Sequence, residues 1–121
     1  MIPKFRGFSI KADEWVEGSL IYREKPYLHD IVVPIGNNSS VSYAVDRNSI
    51  SQYSGLKDIN GQKIFDGDIL VYIDDNKIRK DEKHVVKWYR GGFEPVMYYN
   101  TKNFEIIGNV YEHAELLEVE E

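Results

Sequence analysis

The chain has 121 residues, of which 42% are hydrophobic and 29% charged, and it has no cysteine. That is enough for one domain with its own core, the composition excludes a disordered chain, and the missing cysteine excludes disulfides and thiolate chemistry. A formal net charge of −5 weighs against nonspecific nucleic-acid binding, and no apolar run approaches the roughly 20 residues needed to cross a bilayer.

The opening "MIPKFRGFSIKADEW" carries charges inside what would be a hydrophobic segment, so it does not read as a secretory signal and a cytoplasmic location is expected. Alternation with a period of two recurs along the chain, whereas helical periodicity is short wherever it occurs. "KFRGFSI" (4–10) alternates as a strand does, and "GSLIYRE" (18–24) and "DIVVPI" (30–35) are short apolar runs between turn residues. Pro34 lacks a donor, which confines its strand to an edge or an end there. "NNSS" (37–40) matches the N-glycosylation pattern, but in a cytosolic chain it reads as a tight turn into the strand "VSYAVD" (41–46).

"DRNSISQ" (46–52) holds a single helical turn or a bend, and it is where a looser N-terminal half gives way to a denser C-terminal half. "DILVYID" (68–74) is the clearest strand. "HVVKWYR" (84–90) alternates, and Gly91-Gly92 suits a hairpin back into "FEPVMYY" (93–99). "FEIIGNVY" (104–111) reads as a last strand bent or bulged at Gly108. "EHAELLEVEE" closes with one helical turn and an acidic tail, with Ile106, Val110, Leu116 and Leu117 expected to pack. The fold class is therefore mainly β, with a β-rich α+β class as the alternative. N-terminal strands (1–50) would precede a compact barrel of about five strands (51–121) in a single domain spanning 1–121.

The densest stretch is "QYSGLKDINGQKIFDGDIL" (52–70), with three glycines and three aspartates. Asn60-Gly61 is a hairpin signal of the type I′ kind, Asp66-Gly67 makes a second tight turn, and Asp58 and Asp66 are placed to accept turn amides. As a hard-cation site, Asp58, Asp66 and Asp68 fit poorly, because a calcium loop wants its glycine sixth and a distal glutamate. The glycine spacing is not that of a phosphate loop, and no Ser or Thr follows the lysine. Turn construction is the better reading.

The same stretch, with "FEIIGNVYEHAELL" downstream and "IPKFRGFSIKADEWVEG" at the start, resembles the YopX family of small phage and prophage proteins. Ser54 stands where that family has Thr, Phe65 where it has Tyr, and Asp66 where Glu is common. The resemblance implies a β-rich fold whose C-terminal part is SH3-like. It implies no activity, cofactor or catalytic residue.

The residues themselves offer no catalytic set. His29, His84 and His113 are far apart and none has metal-ligand spacing, and there is no Gly-x-Ser-x-Gly elbow. No enzyme activity, metal or cofactor is expected. The best binding surface is the basic, aromatic segment 77–90, where Lys83, Lys87, Trp88, Tyr89 and Arg90 could stack on bases and neutralise phosphates. The competing reading puts Trp88 in a core and makes the lysines a guard against aggregation. Two functions follow: a module that binds a protein partner or itself, or a nucleic-acid-binding regulator that uses that segment.

Overall fold

The computed structural model of the protein describes residues 4–23, 28–89, 92–94 and 103–117. The chain divides into two compact units, Met1–Tyr53 and Ser54–Glu121. The described elements are almost all strands, so the mainly β reading holds, and every described strand pairing is antiparallel.

The first unit is built from β1 (Phe5–Ser9), β2 (Glu14–Ile21), β3 (Leu28–Gly36), β4 (Ser39–Asp46) and the first residues of β5 (Ser51–Lys57), in the order β4-β3-β2-β1-β5. β2 begins earlier than its apolar run suggests, because "EWV" already alternates. The first half of β2 pairs with β1, placing Trp15 opposite Phe8, and its last residues pair with β3, placing Leu20 opposite Ile31. One strand thus serves two neighbours in succession, which lets the β3–β4 hairpin fold back over β1. Val45 lies directly over Gly7, where a Cβ would stand 2.8 Å from a Val45 methyl. Between these layers Val16, Ile31 and Val45 form a dry core, with Phe5, Leu20, Val33, Tyr43 and Ile50 packed against it.

Of the helical turn or bend expected after β4, the structure has the turn, a 3₁₀ turn at Arg47–Ser49. The carboxylate of Asp46 accepts the Asn48 N–H at 3.0 Å, the usual service of an N-terminal cap. The buried Ser49 hydroxyl donates to Asp46 O (2.6 Å) and accepts the Phe8 N–H (2.7 Å), tying the turn to β1. Pro34 sits beyond the stretch of β3 that pairs with β2, beside a bulge, as its missing N–H requires.

The second unit holds the rest of β5, β6 (Lys63–Phe65), β7 (Asp68–Ile73), β8 (Arg79–Val85), β9 (Lys87–Tyr89), β10 (Gly92–Glu94) and β11 (Phe104–Asn109). β5 continues across the division into a hairpin with β6, β7 is central in the sheet β11-β7-β8, and β9 pairs with β10. Ile64, Leu70, Val86, Phe93 and Phe104 make its core, with Tyr72 and Ile106 against it. The described strands make no closed barrel.

Three expectations change. "HVVKWYR" is not one strand: Val86 is fully buried, and its N–H and C=O bond to the 67–68 turn, which separates β8 from β9. Gly92 lies within β10 opposite Tyr89; Gly91 and residues 95–99 of the expected return strand lie outside the described residues. Near the C-terminus the 3₁₀ turn Ala114–Leu117 forms and Ile106 packs, but Val110 (42%) and Leu117 (38%) stay exposed. The strand ends at Asn109, and the turn that follows carries both side chains outward. The tail "EVEE" lies outside the described residues.

These burials imply a contrast. Ile64→Ala should cost about 2–5 kcal/mol, as for other fully enclosed aliphatic side chains. Leu117→Ala should stay within about 0.5 kcal/mol. Urea denaturation of the two variants beside the wild type checks both.

Candidate functional site

The turn between β5 and β6 centres on Asp58, which is 4% exposed. Its N–H donates to Gln62 O (2.8 Å), and its C=O accepts the Gly61 N–H (3.0 Å). Gly61 has φ +79°, whereas Asn60 does not have a positive φ. The turn is therefore a type I turn closed by a glycine bulge, not the type I′ turn that Asn-Gly suggested. The reason lies in the carboxylate. Oδ1 of Asp58 accepts the Asn60 and Gln62 amides, both at 2.9 Å, and this requires the longer loop.

The other oxygen, Oδ2, accepts the Ile106 N–H on β11 at 3.0 Å, and the Ile59 N–H donates to Phe104 O at 2.8 Å. Asp58 thereby joins the first signature stretch to the second. At the next turn the Phe65 amide goes to the carboxylate of Asp68 (2.7 Å), which is 1% exposed. Gly67, with φ +86°, donates to Val86 O and accepts from the Val110 N–H, linking β7 to both sides of the unit.

The second signature stretch is equally committed. The buried Asn109 accepts the Glu112 N–H on Oδ1 (2.9 Å) and donates from Nδ2 to Glu112 Oε1 (3.1 Å). Its own N–H goes to Nδ1 of His113 (3.1 Å), whose N–H returns to Asn109 O. Gly108 leaves room for that imidazole, since a Cβ there would stand 2.8 Å from Nδ1. The strand register shifts between Ile106 and Gly108, the bulge expected at that glycine. Nδ1 of His29 likewise accepts a main-chain amide, from Arg23 at 3.1 Å, while the ring of His84 packs edge-on against Phe104.

The loop between β7 and β8 repeats the Asp58 device. Asp74 pairs with Ile78 as Asp58 pairs with Gln62, and its Oδ1 accepts the Asn76 (3.0 Å) and Ile78 (2.9 Å) amides. The residue at the left-handed position is here Lys77, with φ 65°. Nothing in the composition of "DDNKI" announces the likeness, but Asp-x-Asn followed by the closing residue is shared with "DINGQ". The Ile78 amide, helped by Lys80 at 3.2 Å and the Asn76 amide, holds the Asp74 carboxyl below its ordinary value.

The basic segment is divided by the fold. Lys83 lies on β8 opposite Val71, whereas Lys87 lies on β9 opposite Glu94 and Trp88 opposite Phe93. Arg79 is ion-paired with Glu105, and Lys80 with Asp74; Lys83 and Lys87 are exposed. Arg90 and the side chains of Trp88 and Tyr89 lie outside the described residues. Among the described residues no three His, Asp or Glu side chains are grouped to hold a metal ion, and no helix is long and apolar enough to cross a membrane.

Two mainly β units, the second of them holding the aspartate-capped turns and the Asn-His clasp, define a small β protein in which both signature stretches serve the backbone. Residues 4–118 match the YopX family, described as YopX protein, and the chain belongs to that family. It is similar to the crystal structure of protein EF1440 from Enterococcus faecalis, with 26% identity and a TM-score of 0.57 over 98% of this chain and 99% of that one. No curated protein matches it.

Asp58→Ala should cost at least about 2–3 kcal/mol, because it strips partners from several amides at once and each unsatisfied group costs about 1–3 kcal/mol. Thermal or urea melts read this directly. The paired turns give opposite signs: Gly61→Val should destabilise by about 1–3 kcal/mol, and Lys77→Gly should stabilise by about 0.5–1 kcal/mol, by relieving positive φ. Because the Asp74 midpoint is depressed in the folded chain, its charge stabilises above the ordinary aspartate pKa. Wild type should exceed Asp74→Asn in stability at neutral pH and lose that lead as the pH falls through the depressed midpoint, as urea midpoints across acid pH will show.

Proposed function

We propose that the protein is a non-catalytic interaction module, a phage or prophage accessory protein acting in the bacterial cytoplasm, that binds a protein partner or a second copy of itself. The observation that carries this reading is the commitment of both signature stretches to main-chain bonds. Asp58 and Asp68 accept backbone amides, as do the imidazoles of His29 and His113. Side chains held in this way build a scaffold, and what a scaffold of short strands offers is its edges and faces. The short strands around Ile64 and Phe104 support an SH3-like reading of the second unit, an architecture that commonly binds through loops and one sheet face.

A second reading, nucleic-acid binding by the 77–90 segment, rests on the exposed Lys83 and Lys87. It is the weaker one, since Arg79 and Lys80 already face Glu105 and Asp74. Affinity purification of the tagged chain from lysogenic or infected cells, alongside sedimentation of the pure protein, tests the first reading. A chain that neither self-associates nor retrieves a specific protein removes it. DNA and RNA titrations at low and moderate salt test the second, and binding that weakens steeply with salt is the result that would favour it.

A further inference from the structure

Sheet edges are hazards that proteins guard, commonly with charge, and the two units differ in this respect. In the second unit β8 ends the sheet β11-β7-β8 and reads "RKDEKHV", charged from Arg79 through Lys83. In the first unit β4 ends the order β4-β3-β2-β1-β5 and carries no charge from Ser39 through Val45. Ser40, Ser42 and Ala44 are exposed.

The register says which backbone groups face outward. Pro34 stands opposite Ser40 and has no N–H, so this is a pair without ladder bonds, and Val33 opposite Val41 is a bonded pair. Bonded and unbonded pairs alternate in an antiparallel ladder. Val41, Tyr43 and Val45 therefore bond to β3, and the N–H and C=O groups of Ser40, Ser42 and Ala44 point to the open side. Among the described residues no main-chain group bonds to that side.

We propose that this edge pairs with the same edge of a second copy, antiparallel, with Ser42 on the two-fold axis. It deepens the interaction-module reading and rests on it. In this register Ser40 meets Ala44 of the second copy, Ser42 meets Ser42, and every outward-facing group finds its complement. The unbonded pairs, where side chains approach most closely, bring Val41 against Tyr43, a β-branched and aromatic match on the apolar face. Asp46 falls opposite Asn38, so no like charges meet. A shift that recruited Asp46 into the ladder would use a residue already spent: its carboxylate holds the Asn48 amide and its C=O the Ser49 hydroxyl. A two-fold axis makes such pairing self-complementary and closed, so a dimer forms instead of a fibre.

The test uses the full chain in sedimentation velocity over a wide concentration range. Wild type should show a reversible dimer. Ser42→Pro removes an outward N–H and leaves the β3 ladder intact, so it should weaken the dimer about tenfold or more with an unchanged far-UV spectrum. Ala44→Lys, which charges the edge without touching the backbone, should do the same. Ser42→Cys, in a chain otherwise free of cysteine, should crosslink readily under mild oxidation, since bonded antiparallel partners stand about 5.5 Å apart at Cα, within disulfide range. A wild-type chain that stays monomeric at the highest concentration overturns the proposal, as does a dimer indifferent to both edge variants. A monomer that still retrieves a specific protein from cells also overturns it, while leaving the interaction-module reading in place.

Discussion

The second unit depends on one buried carboxylate. Asp58 lies at the turn between β5 and β6 and accepts amides from that turn on one oxygen and from β11 on the other. Buried amides without acceptors are costly, and a tight turn has no neighbouring strand to supply them. A short acidic side chain is the economical answer, because it can reach two and four residues ahead while its second oxygen faces another strand. A glutamate would be too long to hold that geometry, and an alanine would leave the amides bare.

That arrangement explains why the two recognisable stretches of the chain occur together. "KDINGQK" shapes a turn whose carboxylate needs a strand beside it, and "FEIIGN" supplies that strand with the Ile106 amide in reach. Asn109 and His113 then secure the chain as it leaves the strand. The repetition of the turn at Asp74 shows that the device is local chemistry, usable wherever two strands need a three-residue connection. Only at Asp58 is it extended into a tertiary bond, and only there is the carboxylate buried.

The functional picture follows from what these commitments leave over. Asp58, Asp68, His29 and His113, which might have been read as chemistry, accept main-chain amides, and the basic segment is split between two strand pairs with part of its charge neutralised. The surfaces that remain distinctive are the edges. Among them β8 is heavily charged, whereas β4 is neutral from Ser39 through Val45 and self-complementary, a difference that stability of the monomer alone does not call for.

Several features were legible in the residues alone. The strands at 5–9, 30–35, 41–46, 68–73 and 104–109 announce themselves by alternation and by bounding turn residues, whereas 46–52 left a helical turn and a bend both open, and the cap that Asp46 supplies was seen only in the structure. The role of "DINGQ" as a turn was visible, as was the bulge at Gly108, because glycine and aspartate act through local backbone geometry. The turn type at Asn60 was not, since it depends on which amides the Asp58 carboxylate reaches. Nor was the break at Val86, where tertiary bonds to the 67–68 turn override an unbroken alternation. The sequence by itself determined that this is a β protein with stiff, aspartate-capped turns, because propensity and turn chemistry are properties of neighbours in the chain. The tertiary structure alone decided which strand lies at an edge, which carboxylate crosses to another strand and which lysines stand apart, because each depends on partners remote in sequence.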